Sequence, residues 1–69
     1  MPHIAITMFP GRNHELKTEI AKKVQTYLAG ELRLDKKFVT VSIEDIPKES
    51  WDGFMKKIPE SILYIKPES

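Results

Sequence analysis

Two short runs of alternating apolar residues, Ile4-x-Ile6-x-Met8 and Val39-x-Val41-x-Ile43, are joined by one long stretch of helical periodicity. That order constrains the fold more than any other feature. A period of two puts successive side chains on opposite faces, so each run reads as a strand with one buried face. The first strand is expected over residues 2–9, with His3, Ala5 and Thr7 opposite Ile4, Ile6 and Met8. Pro10-Gly11 supplies a turn. Asn13 is the expected N-cap of the helix, and Glu15 falls in its first turn, where the positive helix end favours an anion.

In the helix, Leu16, Ile20, Val24, Tyr27 and Leu28 recur at spacings of three and four, while Lys17, Glu19, Lys22, Lys23 and Gln25 fall elsewhere on the wheel. About four turns are expected. Gly30 marks either a fray or a cap, and Leu34-Asp35-Lys36-Lys37 reads as a polar connection. The second strand is expected over residues 38–43, with Val39, Val41 and Ile43 on one face and Phe38, Thr40 and Ser42 on the other. A helical connection of this length implies parallel pairing with a right-handed crossover. Pro47 then opens a short helical segment toward Lys57, weakened by Gly53, and residues 59–67 form either a proline-led helical turn or an edge strand. The expected fold class is α+β, a βαβ protomer of two parallel strands and one long helix plus a short C-terminal helical segment. Residues 1–69 make a single domain, with no repeat or linker.

A chain of 69 residues buries only about 60% of the surface its unfolded form exposes. A single core of that size supplies about 3 to 5 kcal/mol, so small scaffolds add disulfides, a metal or a partner subunit. The absence of cysteine excludes a disulfide framework and a thiolate zinc site, two histidines far apart make poor metal ligands, and oligomerisation is left. The net charge of +1 gives no field to draw the chain to nucleic acid or a membrane surface. The opening stretch alternates too strictly for a signal peptide, no apolar run reaches membrane-spanning length, and a cytoplasmic location is expected.

Pro2 carries the sharpest chemical signal. A small second residue permits removal of Met1, and the freed nitrogen is a secondary amine, a base, where an amide is not. A free α-amino group titrates at about 7.7 to 8.0, and an apolar pocket or nearby cation lowers that value by disfavouring the charged form. A base poised near neutral pH suits removal of a proton beside a carbonyl. Taken alone, Met-Pro is more often an opening with no catalytic purpose. Arg12, after the Pro10-Gly11 turn, offers a fork of donors for a carboxylate, against the ordinary alternative of a solvated loop arginine. Trp51, the only tryptophan, reads as the apolar wall of a pocket or as an ordinary core or interface residue. His3 is expected on the same face as Pro2 and His14 in solvent, both without a catalytic part, and Glu49 and Asp52 read as surface carboxylates.

Together, Pro2-His3-Ile4-x-Ile6, Phe9-Pro10-Gly11-Arg12-Asn13, the amphipathic helix, the second strand and Glu49-Ser50-Trp51 resemble the 4-oxalocrotonate tautomerase family over nearly the whole chain. The likeness is closest to the subgroup that includes phenylpyruvate-enol tautomerases, reported as dimers. The resemblance implies that two protomers complete a four-stranded sheet backed by two helices, that Pro2 is the catalytic base, that Arg12 holds the substrate carboxylate, and that Trp51 lines the apolar side of the pocket. It implies neither cofactor nor metal. Members acting on dicarboxylate dienols have a second arginine where this chain has Thr40, so the implied substrate is a monocarboxylic 2-oxo acid or its enol, such as an aryl-enolpyruvate. Arg33, the only other arginine, is not expected to substitute. Two alternatives stay open: a hydratase or dehalogenase of the same superfamily, and an inactive dimer serving as a binding module.

Overall fold

The computed structural model describes residues 1–68, and Ser69 lies outside them. The chain folds as β1 (His3–Met8), α1 (His14–Leu32), a 3-10 turn (Lys36–Phe38), β2 (Thr40–Asp45), α2 (Lys48–Lys56) and a second 3-10 turn (Glu60–Ile62). This is the α+β arrangement expected. The strands pair in parallel with His3 opposite Thr40, Ile4 opposite Val41, Ile6 opposite Ile43 and Met8 opposite Asp45. Alternation therefore gathers Ile4, Ile6, Val41 and Ile43 on the face beneath α1, and exposes His3, Ala5, Thr40, Ser42 and Glu44 on the other.

Asn13 caps α1 as expected: its side-chain oxygen accepts from the Leu16 N–H at 2.8 Å. The helix has 19 residues, about five turns where four were expected, because Gly30 neither frays nor caps it. Its end is made by Arg33, which adopts the left-handed conformation (φ 56°) while the Leu34 N–H returns to the Ala29 carbonyl at 2.9 Å. The second strand starts two residues later than its pattern suggests. Asp35 accepts from the Lys37 N–H at 3.0 Å, and Gln25 reaches from α1 to donate to the carbonyls of Lys36 and Val39, each at 3.0 Å. Those bonds hold Phe38 in the 3-10 turn. Of the two expectations for the tail, the proline-led turn forms: Ile62 N–H bonds the Pro59 carbonyl at 3.1 Å.

The fully buried apolar residues are Ala29 on α1, Val39 before β2 and Ile46 after it, and no large side chain is completely buried among the described residues. Packing between elements is concentrated on β1, β2 and α1. The chain is correspondingly open, with a radius of gyration of 13.7 Å against about 11 Å for a compact domain of this length. It exposes 5965 Å², about 1,500 Å² more than the about 4,450 Å² expected of a folded monomer of 8.0 kDa. Among the described residues no helix is long and apolar enough to cross a membrane.

Candidate functional site

Pro2 stands immediately before β1 and is tied to the start of β2, its carbonyl accepting from the Thr40 N–H at 3.2 Å. Its ring is half-buried, whereas Met1 ahead of it is 92% exposed, so the bond that methionine removal must cut is accessible. Strand alternation puts Pro2 on the helix side with Ile4 and puts His3 on the opposite face, which corrects the expectation that the two share a face. The His3 ring lies across to β2, with Nδ1 2.7 Å from Thr40 Oγ1 and Nε2 2.9 Å from Ser42 Oγ. A neutral imidazole donates at one nitrogen and accepts at the other, and the two hydroxyls supply both kinds of partner.

Arg12 and Trp51 are each attached to Phe9, at the other end of the strands. The chain turns after β1 through Phe9, Pro10 and Gly11, and Gly11 takes φ 127°, a conformation glycine adopts without the Cβ penalty. The turn lets Arg12 fold back so that its Nη1 donates to the Phe9 carbonyl at 3.3 Å. Across from it, Ile46 continues the ladder beyond β2 by donating to the Met8 carbonyl at 2.8 Å, and α2 follows. Trp51 on the second turn of α2 packs edge-on against Phe9, with ring centroids 5.0 Å apart and planes at 81°, and its other neighbour is Phe54 at 6.0 Å. Phe9 thus bonds Arg12 through its backbone and packs on Trp51 through its ring. Its position, an aromatic at the end of an alternating strand and before Pro-Gly, was the signal available for that role.

Within one chain Arg12 and Trp51 share Phe9 as a neighbour, and Pro2 does not. Pro2 and Phe9 flank the six residues of β1, and at about 3.3 Å of rise per residue they lie about 23 Å apart. An open groove of about 390 Å³ between α1 and β2 is lined by Gln25, Val39 and Thr40 among others, and includes none of the three. Arg12 is exposed and makes no ion pair among the described residues. No group of three or more His, Cys, Asp or Glu side chains that could hold a metal occurs among them either. What this end of the strands offers is an exposed guanidinium bonded to the Phe9 backbone and an aromatic pair made by the Phe9 ring with Trp51, groups suited to an anion and to an apolar or aromatic tail.

No family profile and no solved structure matches the chain. Curated relatives do. The chain is 37% identical over 51 residues to a "Probable tautomerase" of Xylella fastidiosa (strain 9a5c), a match covering 74% of this chain and 62% of that protein. It is 34% identical over 59 residues to a "Probable tautomerase" of Streptococcus thermophilus (strain CNRZ 1066), covering 83% of this chain and 97% of the relative. A second Streptococcus thermophilus protein (strain ATCC BAA-250 / LMG 18311) matches to the same extent. The chain thus spans less than two thirds of the Xylella relative and nearly all of the Streptococcus ones. On the likeness to the Streptococcus thermophilus proteins, which the chain covers almost end to end, the chain belongs to the tautomerase family.

Proposed function

We propose that the chain is a cofactor-independent enol-keto tautomerase of the 4-oxalocrotonate type, closest to the phenylpyruvate-enol subgroup, with Pro2 as general base once Met1 is removed. The observation that supports it is the separation of the three residues along β1: Pro2 before its start, Arg12 and Trp51 each in contact with Phe9 beyond its end. The two-stranded sheet leaves the outer edge of β1 unpaired. Two-fold symmetry makes identical strands run antiparallel, so pairing through that edge sets Pro2 of one copy beside Arg12 and Trp51 of the other. It also yields a four-stranded sheet backed by two helices. The surplus of about 1,500 Å² exceeds the about 800 Å² that a standard interface buries on each partner.

In such a site the neutral Pro2 nitrogen takes the hydroxyl proton of an enolpyruvate and returns it to C3, while the C2–O bond becomes a carbonyl. No atom is gained or lost. Arg12 holds the carboxylate and offsets the negative charge that builds on the enolate. The rings of Trp51 and Phe9 receive the aryl tail and keep water from the amine. Thr40, its hydroxyl engaged by His3 at 2.7 Å, offers no cation to a second carboxylate, which supports a monocarboxylic substrate.

The test is ketonisation of an aryl-enolpyruvate by protein whose mass shows Met1 removed. Pro2→Ala is expected to lower turnover by about 10²- to 10⁴-fold, the usual weight of a positioned general base. Undiminished turnover overturns the mechanism, and so does an intact mass showing methionine retained in an active protein from its native host.

A further inference from the structure

Gln25 lies outside the apolar stripe of α1, yet it is half-buried and turned toward the start of β2. Its Nε2 donates at 3.0 Å to the carbonyl of Lys36 and at 3.0 Å to that of Val39. Two carbonyl acceptors fix which end of the amide faces them, because only the nitrogen donates, and it carries a proton for each. The Lys36 carbonyl also takes the Val39 N–H at 2.9 Å, so the amide ties the first residue of the 3-10 turn to the fully buried Val39 that follows it.

The Val39 carbonyl and the Thr40 N–H are the two sides of one peptide unit. That unit is planar, and its oxygen and hydrogen point in opposite directions. On one side it accepts from Gln25 at 3.0 Å, and on the other it donates to the Pro2 carbonyl at 3.2 Å. A donor on the oxygen fixes the tilt of the plane and polarises its N–H toward the next acceptor. Pro2 depends on that bond more than the residues after it. Its nitrogen must stay free for the substrate, so the carbonyl is its backbone tie to β2. The His3 ring leans on the same residue, through Thr40 Oγ1 at 2.7 Å.

We propose that Gln25 is a positioning residue for Pro2: through the Val39–Thr40 peptide, α1 sets where the proline stands at the start of β1. The inference rests on the reading of Pro2 as the base. Gln25 itself touches no reacting atom, and its effect is carried by two hydrogen bonds on opposite sides of one rigid plane.

Gln25→Glu keeps the shape of the side chain and removes both donors, and Gln25→Met removes them without adding charge. Amide hydrogen exchange of the ¹⁵N-labelled full chain, with Met1 removed, reads the tie directly at Thr40. Ile46, whose N–H closes the other end of the same ladder on Met8 at 2.8 Å, is the internal reference. In both variants protection at Thr40 is expected to fall by about 2- to 13-fold more than at Ile46, the weight of one hydrogen bond. An equal fall at both amides is a general loss of stability and overturns the proposal, as does an unchanged Thr40. Ketonisation supplies the second readout. The kcat should fall by about 10- to 100-fold, the cost of a group displaced by about 1 Å, with KM within about two-fold of wild type because Arg12 is untouched. A Thr40 tie that loosens with kcat unchanged overturns the role of Gln25 and leaves Pro2 as base, which Pro2→Ala tests by itself. If Pro2→Ala stays active instead, the catalytic reading fails, and exchange at Thr40 still decides whether Gln25 holds the proline in place.

Discussion

The ring of Phe9 meets that of Trp51 edge-on at 5.0 Å, and this contact, with the Ile46 N–H bonded to the Met8 carbonyl, ties α2 to the end of β1. Edge-to-face pairs contribute about 0.5–1.5 kcal/mol beyond the area they bury. Phe9→Leu keeps an apolar side chain but removes the aromatic edge, and is expected to lower the unfolding free energy by about that amount. Trp51 is the only tryptophan, so its fluorescence reports the transition without a label. The denaturant midpoint should fall with the slope unchanged, while near-ultraviolet dichroism from the aromatic pair weakens in the native state.

Two glycines should respond to alanine with opposite signs. Neither Gly11 nor Gly30 has an atom within 4 Å of where a Cβ would stand, so crowding decides nothing at either. Gly11 has φ 127°, and Gly11→Ala forces a side chain into a conformation it disfavours, costing about 1 kcal/mol or more. Gly30 lies inside α1, where alanine is better than glycine by about 0.5–1 kcal/mol. Thermal unfolding of the two variants, recorded at one protein concentration, should bracket the wild-type midpoint.

The strands and the start of the helix were legible because they depend on neighbours in sequence. The alternation of Ile4, Ile6 and Met8 needs only the strand period, and the Asn13 cap needs only the N–H of Leu16 three residues on. The start of β2 and the end of α1 depend on contacts of another kind. Phe38 has the side chain of a strand residue, yet Gln25 on α1 and Asp35 hold it in a 3-10 turn. Arg33 ends α1 in a left-handed conformation that glycine would adopt more easily, so the more obvious Gly30 drew attention to the wrong residue. For the site, residue type singled out Pro2, Arg12 and Trp51, but Phe9, which joins two of them, touches Trp51 across most of the length of the chain. That link is tertiary and leaves no local pattern.

The cap at the start of α1 also bears on the site, because Asn13 directly follows Arg12 in the chain. Asn13→Ala removes the acceptor of the Leu16 N–H and is expected to destabilise by about 0.5–2 kcal/mol. Asn13→Asp should recover most of the loss, since its carboxylate accepts the same bond and meets the positive end of the helix. Urea unfolding followed by far-ultraviolet dichroism checks both, and an Asn13→Ala variant as stable as wild type would show that the cap contributes nothing.

The division of the site along β1 makes a prediction about mixtures of two damaged chains. Arg12→Gln removes a charged hydrogen-bond partner of the carboxylate worth about 1.5–3 kcal/mol, so kcat/KM should fall by about 10- to 150-fold. The fold itself should persist, because Arg12 is exposed and bonds only the Phe9 carbonyl. Pro2→Ala should lose about 10²- to 10⁴-fold for the separate reason that the ring-held secondary amine is gone. If Pro2 of one copy works with Arg12 of the other, a dimer of one Pro2→Ala chain and one Arg12→Gln chain holds one doubly damaged site and one intact site. Equal mixing after reversible dissociation should then restore about a quarter of wild-type activity, since half the dimers are mixed and half their sites are whole. A site built within a single chain recovers nothing on mixing, because every site keeps its own defect. Steady-state ketonisation of the mixture, compared with each variant alone, decides between the two geometries.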